Sequence, residues 1–309
     1  MSNGRVPVEP PVTRVIQDRF DRCVYRPGQI SRCPARVPAE PLSPGQLDIL
    51  LNEGDQRVGG TVFRTTCPFC HACEPVRIDV ASFTLSHSHR RVWARNERDL
   101  RVDIGPPALS RRRVGLWNRH RRVRGLLTDQ SRRDPLGYHE WLVESCAPTV
   151  EVRYTLDDRL VGLSLLDLGS ISANSAYHYY DPSLAKRSIG VYSVLKEIEL
   201  CHSLGIRWYY LGLWAADSVP LQYKSKYYPH ERFVRGTWKR FESREQDPAA
   251  FDPQAYAAAA STRPSGDGPA IEGFNPKDWL DSDGPGDDSS SDDPTDSPPG
   301  AIDLENEAD

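Results

Sequence analysis

No stretch of this 309-residue chain approaches the roughly 20 consecutive apolar residues that cross a bilayer. Its first residues, Met1-Ser2-Asn3-Gly4-Arg5, lack the apolar core of a secretory leader. A soluble, cytoplasmic protein without membrane contact is expected. Cysteine is scarce and odd in number, at seven. That count does not read as a secreted disulfide framework and fits a reducing interior better. There is no Gly-x-Ser-x-Gly, and the eight histidines are too sparse to suggest a Ser-His-Asp triad. No internal repeat recurs at a fixed period.

What the chain does have is uneven charge. The formal net charge of −4 hides a segment, 263–309, with 14 acids and two bases, so residues 1–262 carry +8. A basic body with an acidic tail points to nucleic-acid contact. Between positions 90 and 133 lie 14 arginines against four acids, with Trp93 and Trp117 among them. A charge run is ordinarily a solvated face. Here the excess is almost all arginine, which grips phosphates bidentately, and aromatic rings beside it offer stacking surfaces.

Three cysteines fall at C-x2-C-x2-C spacing, Cys67, Cys70 and Cys73, just before the strand-like run 74–81. With Cys23 far upstream they make a candidate tetra-thiolate site, which suits zinc or an iron–sulfur cluster. Cys33 is an alternative fourth thiol. The other reading is a set of ordinary buried cysteines, which is how Cys146 and Cys201 are read. His71 is read as a solvent or outer-sphere residue.

Periodicity predicts a helix opened by Ser43-Pro44, a strand over 57–66 and another over 76–83. Helices are expected over 86–100, 109–127 and 135–146, the last with Trp141 and Leu142 inward. Strands follow over 149–156, 160–168 and 171–180, the first two joined by a tight Asp157-Asp158 turn. An amphipathic helix over 188–204, capped by Gly205, leads to an apolar strand over 206–213. A short helix or loop over 217–226 and a strand over 232–238 close the ordered part. Residues 281–299, nearly all Asp, Ser, Pro and Gly, cannot bury enough apolar surface to offset their ordering entropy.

Three strands, a helix and a strand resemble the core of the GCN5-related acyltransferases. Arg187, Gly190 and Tyr192 stand at the spaced positions of that superfamily's phosphate turn, with Tyr192 where a small residue is usual. A helix N-terminus there offers N–H donors to a phosphate. The fold class is thus α+β: a GCN5-related acyltransferase-like domain over 135–242, a cysteine-bearing α+β domain over 19–134, a flexible N-terminus over 1–18, and a disordered acidic tail over 243–309.

Beyond this, the chain from about 20 to 241 resembles the bacterial branch of the aminoacyl-tRNA–protein transferases. The matching residues are Cys23, Tyr25 and Pro27; then Cys67, Cys70, Ala72, Cys73, Pro75, Arg77 and Ile78; then Ser86, Ser88, Arg90, Arg91, Arg95, Asn96, Asp99 and Leu100. Further on come Tyr180-Asp181-Pro182, Arg187-Ser188, Gly190, Glu197-Ile198-Glu199, Tyr210-Leu211-Gly212, Trp214 and Tyr223-Lys224. Phe63-Arg64-Thr65 departs from the family's Tyr-Arg-Pro. Ala215 to Gln222 lacks the usual Cys and Met, which leaves the donated residue open.

The resemblance implies transfer of leucine, or of arginine, from charged tRNA to the N-terminal Asp or Glu of acceptor proteins, tagging them for degradation. The ester is already activated, so the enzyme must align the partners and stabilise the oxyanion, with no cofactor required for the chemistry. Arg77, Arg187 and Lys224 are candidate cations for the acceptor carboxylate, each with a surface ion pair as the alternative reading. Gly190, Tyr192 and Trp214 complete the expected substrate site. Tyr180, Asp181 and Glu197 are candidates to hold the ammonium or assist its deprotonation. Arg90, Arg91 and Arg95 would cradle the tRNA acceptor arm. Two further readings stay open, an acetyl-CoA-dependent N-acetyltransferase and a non-catalytic metal-containing RNA-binding protein.

Overall fold

The computed structural model describes residues 7–127, 134–250 and 252–260. The first half opens with four short strands, β1 (Thr13–Gln17), β2 (Phe20–Arg22), β3 (Ile30–Arg32) and β4 (Ala35–Pro38). Residues expected to be loose therefore include β1, which pairs antiparallel with β4. Helix α1 (Pro44–Asn52) begins where Ser43 accepts from Gln46 N and Gln46 returns a bond to the Ser43 N–H. Such a reciprocal cap is worth about 1 kcal/mol. Leu47, Leu50 and Leu51 are its buried face.

The single strand expected over 57–66 is instead a hairpin, β5 (Gln56–Val58) and β6 (Thr61–Phe63), turning at Gly59-Gly60. Gly59 has φ +53°, and a Cβ there would sit 2.3 Å from Glu140 O. Both facts require glycine. The hairpin is followed by β7 (Glu74–Asp79), α2 (His87–Glu97), β8 (Arg101–Gly105), α3 (Arg111–Val123) and α4 (Pro135–Tyr138). Ser86 and Ser110 cap α2 and α3.

The helix expected over 135–146 lasts one α turn and then widens into a π turn, His139–Val143, closed by Glu144 N to His139 O at 2.8 Å. The wider turn changes which residues face inward. Leu142 is buried as expected, but Trp141 is 47% exposed.

In the second half β9 (Thr149–Leu156), β10 (Arg159–Leu168) and β11 (Ser172–Tyr180) form the expected meander. Asp157 and Asp158 both hold positive φ, as a two-residue hairpin turn requires. A 3-10 turn, Pro182–Arg187, leads into α5 (Ile189–Ser203) and then β12 (Trp208–Trp214). The last expected strand is another hairpin, β13 (His230–Val234) and β14 (Thr237–Phe241), turning at Arg235-Gly236 with both φ positive.

Eight strands make one mixed sheet in the order β14-β13-β7-β12-β11-β10-β9-β8. The sheet runs across the boundary expected at 134/135, because β7 lies between β12 and β13 and β8 pairs with β9. Flanked on both sides, β7 is buried along almost its whole length. One face of the sheet packs on α5, through Val194, Leu195, Ile198 and Cys201 against Val76, Ile78, Leu166 and Tyr209. A second cluster joins Leu116 and Trp117 of α3 and Tyr138 of α4 to Leu163, Leu165 and Tyr179.

The segment expected from 243 as a disordered tail is in part helical. Its first part, through α6 (Pro253–Ala260), folds back onto the sheet, and the rest of the acidic segment lies outside the described residues. Arg232 has no solvent exposure; it stacks on Trp214 and Phe241 at 4.1 and 4.0 Å and pairs with Asp247 at 2.7 Å. Tyr256 donates to Glu74 at 2.7 Å. A lone Asp and Tyr in a polar segment carry little sequence signal, yet they complete this buried cluster. Among the described residues no helix is long and apolar enough to cross a membrane.

Candidate active site

Parallel pairing of β11 with β12 covers only three positions, Ser172–Asn174 against Trp208–Tyr210. Beyond them the strands part. On the β12 side a bulge intervenes between Tyr210 and Gly212, and Gly212 holds φ +75°. The gap holds a cavity of about 280 Å³. Asn174, Ser175 and Tyr177 of β11 line it, with Leu211, Gly212 and Leu213 of β12. Its walls include Tyr25, Val58, Phe63, Trp141, Leu142 and Leu165, so the β5–β6 hairpin and the π turn form its rim. No carboxylate is among the lining residues.

Two cations line the cavity. Arg57 is buried against Asp167, donating Nε at 2.7 Å, and gives Nη1 to Gly59 O at 3.0 Å. Asn174 also donates to Asp167, at 3.0 Å. Lys224 is different. Its Nζ donates to Leu213 O at 2.7 Å and has no carboxylate partner among the described residues. Burial pushes its ammonium down to about 8. It lies 3.5 Å from where a Cβ on Gly212 would stand, an ordinary contact, so the φ of +75° is what favours glycine there.

Beside the cavity, His178 and Tyr180 stack at 6.1 Å and approach the start of α5, where Gly190 leaves room for both. Burial, then His120, Lys224 and Arg124, push the His178 imidazole down to about 3, so it is neutral at physiological pH. The last turn of α3 therefore stands close to this end of the splay. His120 Nδ1 lies 3.0 Å from Tyr180 O and 3.2 Å from Tyr180 N.

The other expected site residues divide sharply. Asp181 is buried and caps the 3-10 turn through Ser183 N at 3.0 Å, pairing with Arg119 and Arg159. Burial alone would raise its pKa, but Ser183 and the two arginines hold it below the usual carboxylate range. Glu197 lies under α5, accepting from Tyr209 OH at 2.6 Å with Ser164 and Ser175 near, and burial raises it. Only Ser175 of that group also lines the cavity. Arg77 is wedged between Trp208 and Trp238 at 3.8 and 4.0 Å and donates to Glu231, Asn52 and Tyr210. Trp214 is buried over Arg232, and Tyr192 donates to Glu97 at 2.7 Å.

Arg187 makes a two-pronged pair with Asp99 at 2.7 and 2.6 Å, and Asn96 donates to Arg187 O at 2.8 Å. Its cation is thus engaged rather than aimed at a phosphate. Ser188, the α5 cap, has φ +55° and no side-chain capping bond. Arg90, Arg91 and Arg95 are exposed on α2. Arg90 donates to Leu85 O at 2.7 Å, and Arg95 donates to Lys186 O.

The thiols share one neighbourhood without forming a closed ligand set. Cys33 and Cys67 are neighbours, and Cys33 holds the Cys67 thiol below its usual range. Cys73 is pushed up to about 12, by burial and then by Cys67, Cys23 and Cys70. Cys70 Sγ accepts from Arg26 at 3.0 Å. All-sulfur donors suit zinc or an iron–sulfur cluster, but among the described residues no group of three or more Cys, His, Asp or Glu is arranged to hold a metal ion. Tyr25 and Arg26 connect this loop to the cavity wall and to Asp217, at 2.8 Å from Arg26.

Sequence reasoning placed Lys224 in the site, named Tyr25 only as a motif residue, and did not single out Gln56, Arg57, Asn174, Ser175, Tyr177 or His178. The glycine inside β12 was the available signal, since a strand glycine marks a bulge or a close approach.

Comparison with known proteins identifies the family. Family models described as the N terminus and the C terminus of arginine-tRNA-protein transferase match residues 21–91 and 112–234. A protein of Thiobacillus denitrificans named aspartate/glutamate leucyltransferase is 30% identical over 240 residues, 77% of this chain and 99% of that one. One of the same name from Acinetobacter baumannii is 31% identical over 219 residues, 71% of this chain and 80% of its own. Among solved structures, L-PGS from Bacillus licheniformis overlaps 55% of this chain and 50% of its own at 12% identity and a TM-score of 0.37, too weak to carry an argument. This chain belongs to the aminoacyl-tRNA–protein transferase family, and it is an aminoacyltransferase acting from charged tRNA onto proteins.

Proposed function

We propose that the enzyme transfers leucine from leucyl-tRNA to the N-terminal Asp or Glu of acceptor proteins, marking them for degradation. The observation that carries this is the lining of the splay cavity: mostly apolar, without a carboxylate, and with Lys224 as its one cation not paired to an acid among the described residues. A leucyl side chain gains from Phe63, Leu142, Leu165 and Leu213 the roughly 1.5–3 kcal/mol of burying an aliphatic group. An arginyl guanidinium would meet no counter-ion there and would lie near Lys224 and Arg57, so its desolvation goes uncompensated.

Lys224 supplies the charge an acidic acceptor residue needs. The acceptor's free α-amine attacks the ester carbonyl. A C–N bond forms, the ester C–O bond breaks, and the amine proton passes to the departing ribose oxygen. The cavity's part is to hold the two reactants together and exclude water.

The test is a transfer assay with labelled leucyl-tRNA and peptides differing only in their first residue. Label on Asp and Glu peptides alone is expected. Equal labelling of Asn or Ala peptides would refute the acceptor assignment.

A further inference from the structure

Trp141 is the largest exposed aromatic residue lining the cavity, at 47% exposure. Resting on the reading above, we propose that Trp141 is the stacking surface for the terminal adenine of the donor tRNA while the aminoacyl group enters the cavity.

Three observations carry this. The first is position. The aminoacyl ester sits on the terminal ribose, so a carbonyl placed in the splay leaves its own base at the rim. Trp141 is at that rim. The second is a built placement. The π turn presents Trp141 outward, and the β5–β6 hairpin packs against that turn so closely that a Cβ on Gly59 would lie 2.3 Å from Glu140 O. The third is charge. The Arg121 guanidinium lies 5.9 Å from the Trp141 ring, and Arg122 and Arg124 are exposed in the next positions of the same helix end. His120, in the last turn of that helix, has its ring 6.5 Å from that of His178, which puts the helix end at the splay. An aromatic face beside basic residues is the pattern that binds single-stranded RNA ends, because every base has a π face and every nucleotide a phosphate. An acceptor peptide is the competing occupant, and its N-terminal acid calls for Lys224 rather than an indole.

The experiment measures binding of the full chain to one tRNA species, intact or lacking only its terminal adenosine, for the natural protein, Trp141→Ala and Trp141→Phe. The natural protein is expected to lose roughly tenfold in affinity when the adenosine is removed. Trp141→Ala should bind both tRNAs alike, near the weaker value, and Trp141→Phe should regain most of the discrimination. Thermal melting of each variant guards against unfolding. Trp141→Ala that still discriminates overturns the proposal. So does an effect confined to the KM of the acceptor peptide, which would assign the indole to the acceptor. A natural protein that binds no tRNA overturns this proposal and the transfer reading together, whereas transfer with normal discrimination in Trp141→Ala overturns this proposal alone.

Discussion

The Arg187 guanidinium meets both carboxylate oxygens of Asp99, at 2.7 and 2.6 Å. The two residues belong to motifs 88 positions apart, and their pairing fastens the basic helix α2 to the start of α5. A backbone tie from Asn96 to Arg187 O reinforces it. Arg187 is thus a clamp between α2 and the start of α5.

Replacing either partner should loosen α2. Arg187→Ala and Asp99→Asn are each expected to lower transfer several-fold, chiefly through a higher KM for tRNA. Their combination should cost less than the sum, with a coupling of roughly 0.5–1 kcal/mol for a half-exposed pair. Denaturant titration of the singles and the double measures this. The bond from Arg187 holds Asp99 below the usual carboxylate range. Its contribution is therefore present above the unfolded value of about 3.9 and disappears as pH falls through the lower folded value.

Arg77 behaves in the opposite way to the sequence expectation. Held between Trp208 and Trp238 and bonded to Glu231, it has no reach to the cavity lining. Arg77→Ala should destabilise the fold by about 3 kcal/mol, the range for breaking a buried pair from one side. Protein that survives should keep its preference for Asp and Glu peptides. Loss of that preference in a folded variant would return Arg77 to the substrate site.

Lys224→Met should lower kcat/KM for Asp and Glu peptides roughly ten- to a hundredfold, the worth of a charge-assisted bond, with little change for binding of tRNA. Because burial sets the ammonium at about 8, the preference for acidic acceptors should weaken as pH rises through that value. The same burial disfavours the folded state while the unfolded lysine is protonated. Its penalty is complete below pH 8 and is relieved between about 8 and 10.4. A pH series with Asp and Ala peptides separates these effects.

The folded-back segment supplies a fourth test. Asp247→Ala leaves the wholly buried Arg232 without its shortest ion pair, and a loss of about 3–5 kcal/mol is expected. Chemical denaturation reads it directly; an unchanged midpoint would mean that Glu74 and the stacked rings suffice.

Local chemistry was what the sequence made legible. Ser43, Ser86 and Ser110 announce three helices, and Asp157-Asp158 announces the β9–β10 turn. The Gly59-Gly60 and Arg235-Gly236 hairpins read as single strands, because β-favouring residues continue across each turn: Val58, Thr61, Val62 and Phe63 in one, Phe233, Val234, Thr237 and Trp238 in the other. What periodicity does not carry is partnership at a distance. Nothing near Glu74 says that its strand will sit between β12 and β13, and nothing near Asp247 says it will meet Arg232. The cavity suffers most from this, since Tyr25, Arg57, Trp141 and Tyr177 come from four separate elements. Lys224 was found because it stands in a motif, whereas Glu197 and Asp181 stand in motifs yet bond to Tyr209 and cap the 3-10 turn.

The most direct measurement compares leucyl-tRNA with arginyl-tRNA as donors to one Asp-starting peptide. A cavity with apolar walls and no carboxylate predicts a kcat/KM for leucine at least a hundredfold above that for arginine, as expected when an unpaired charge must be buried. Equal or greater use of arginyl-tRNA would contradict the assignment of this cavity to the donor side chain.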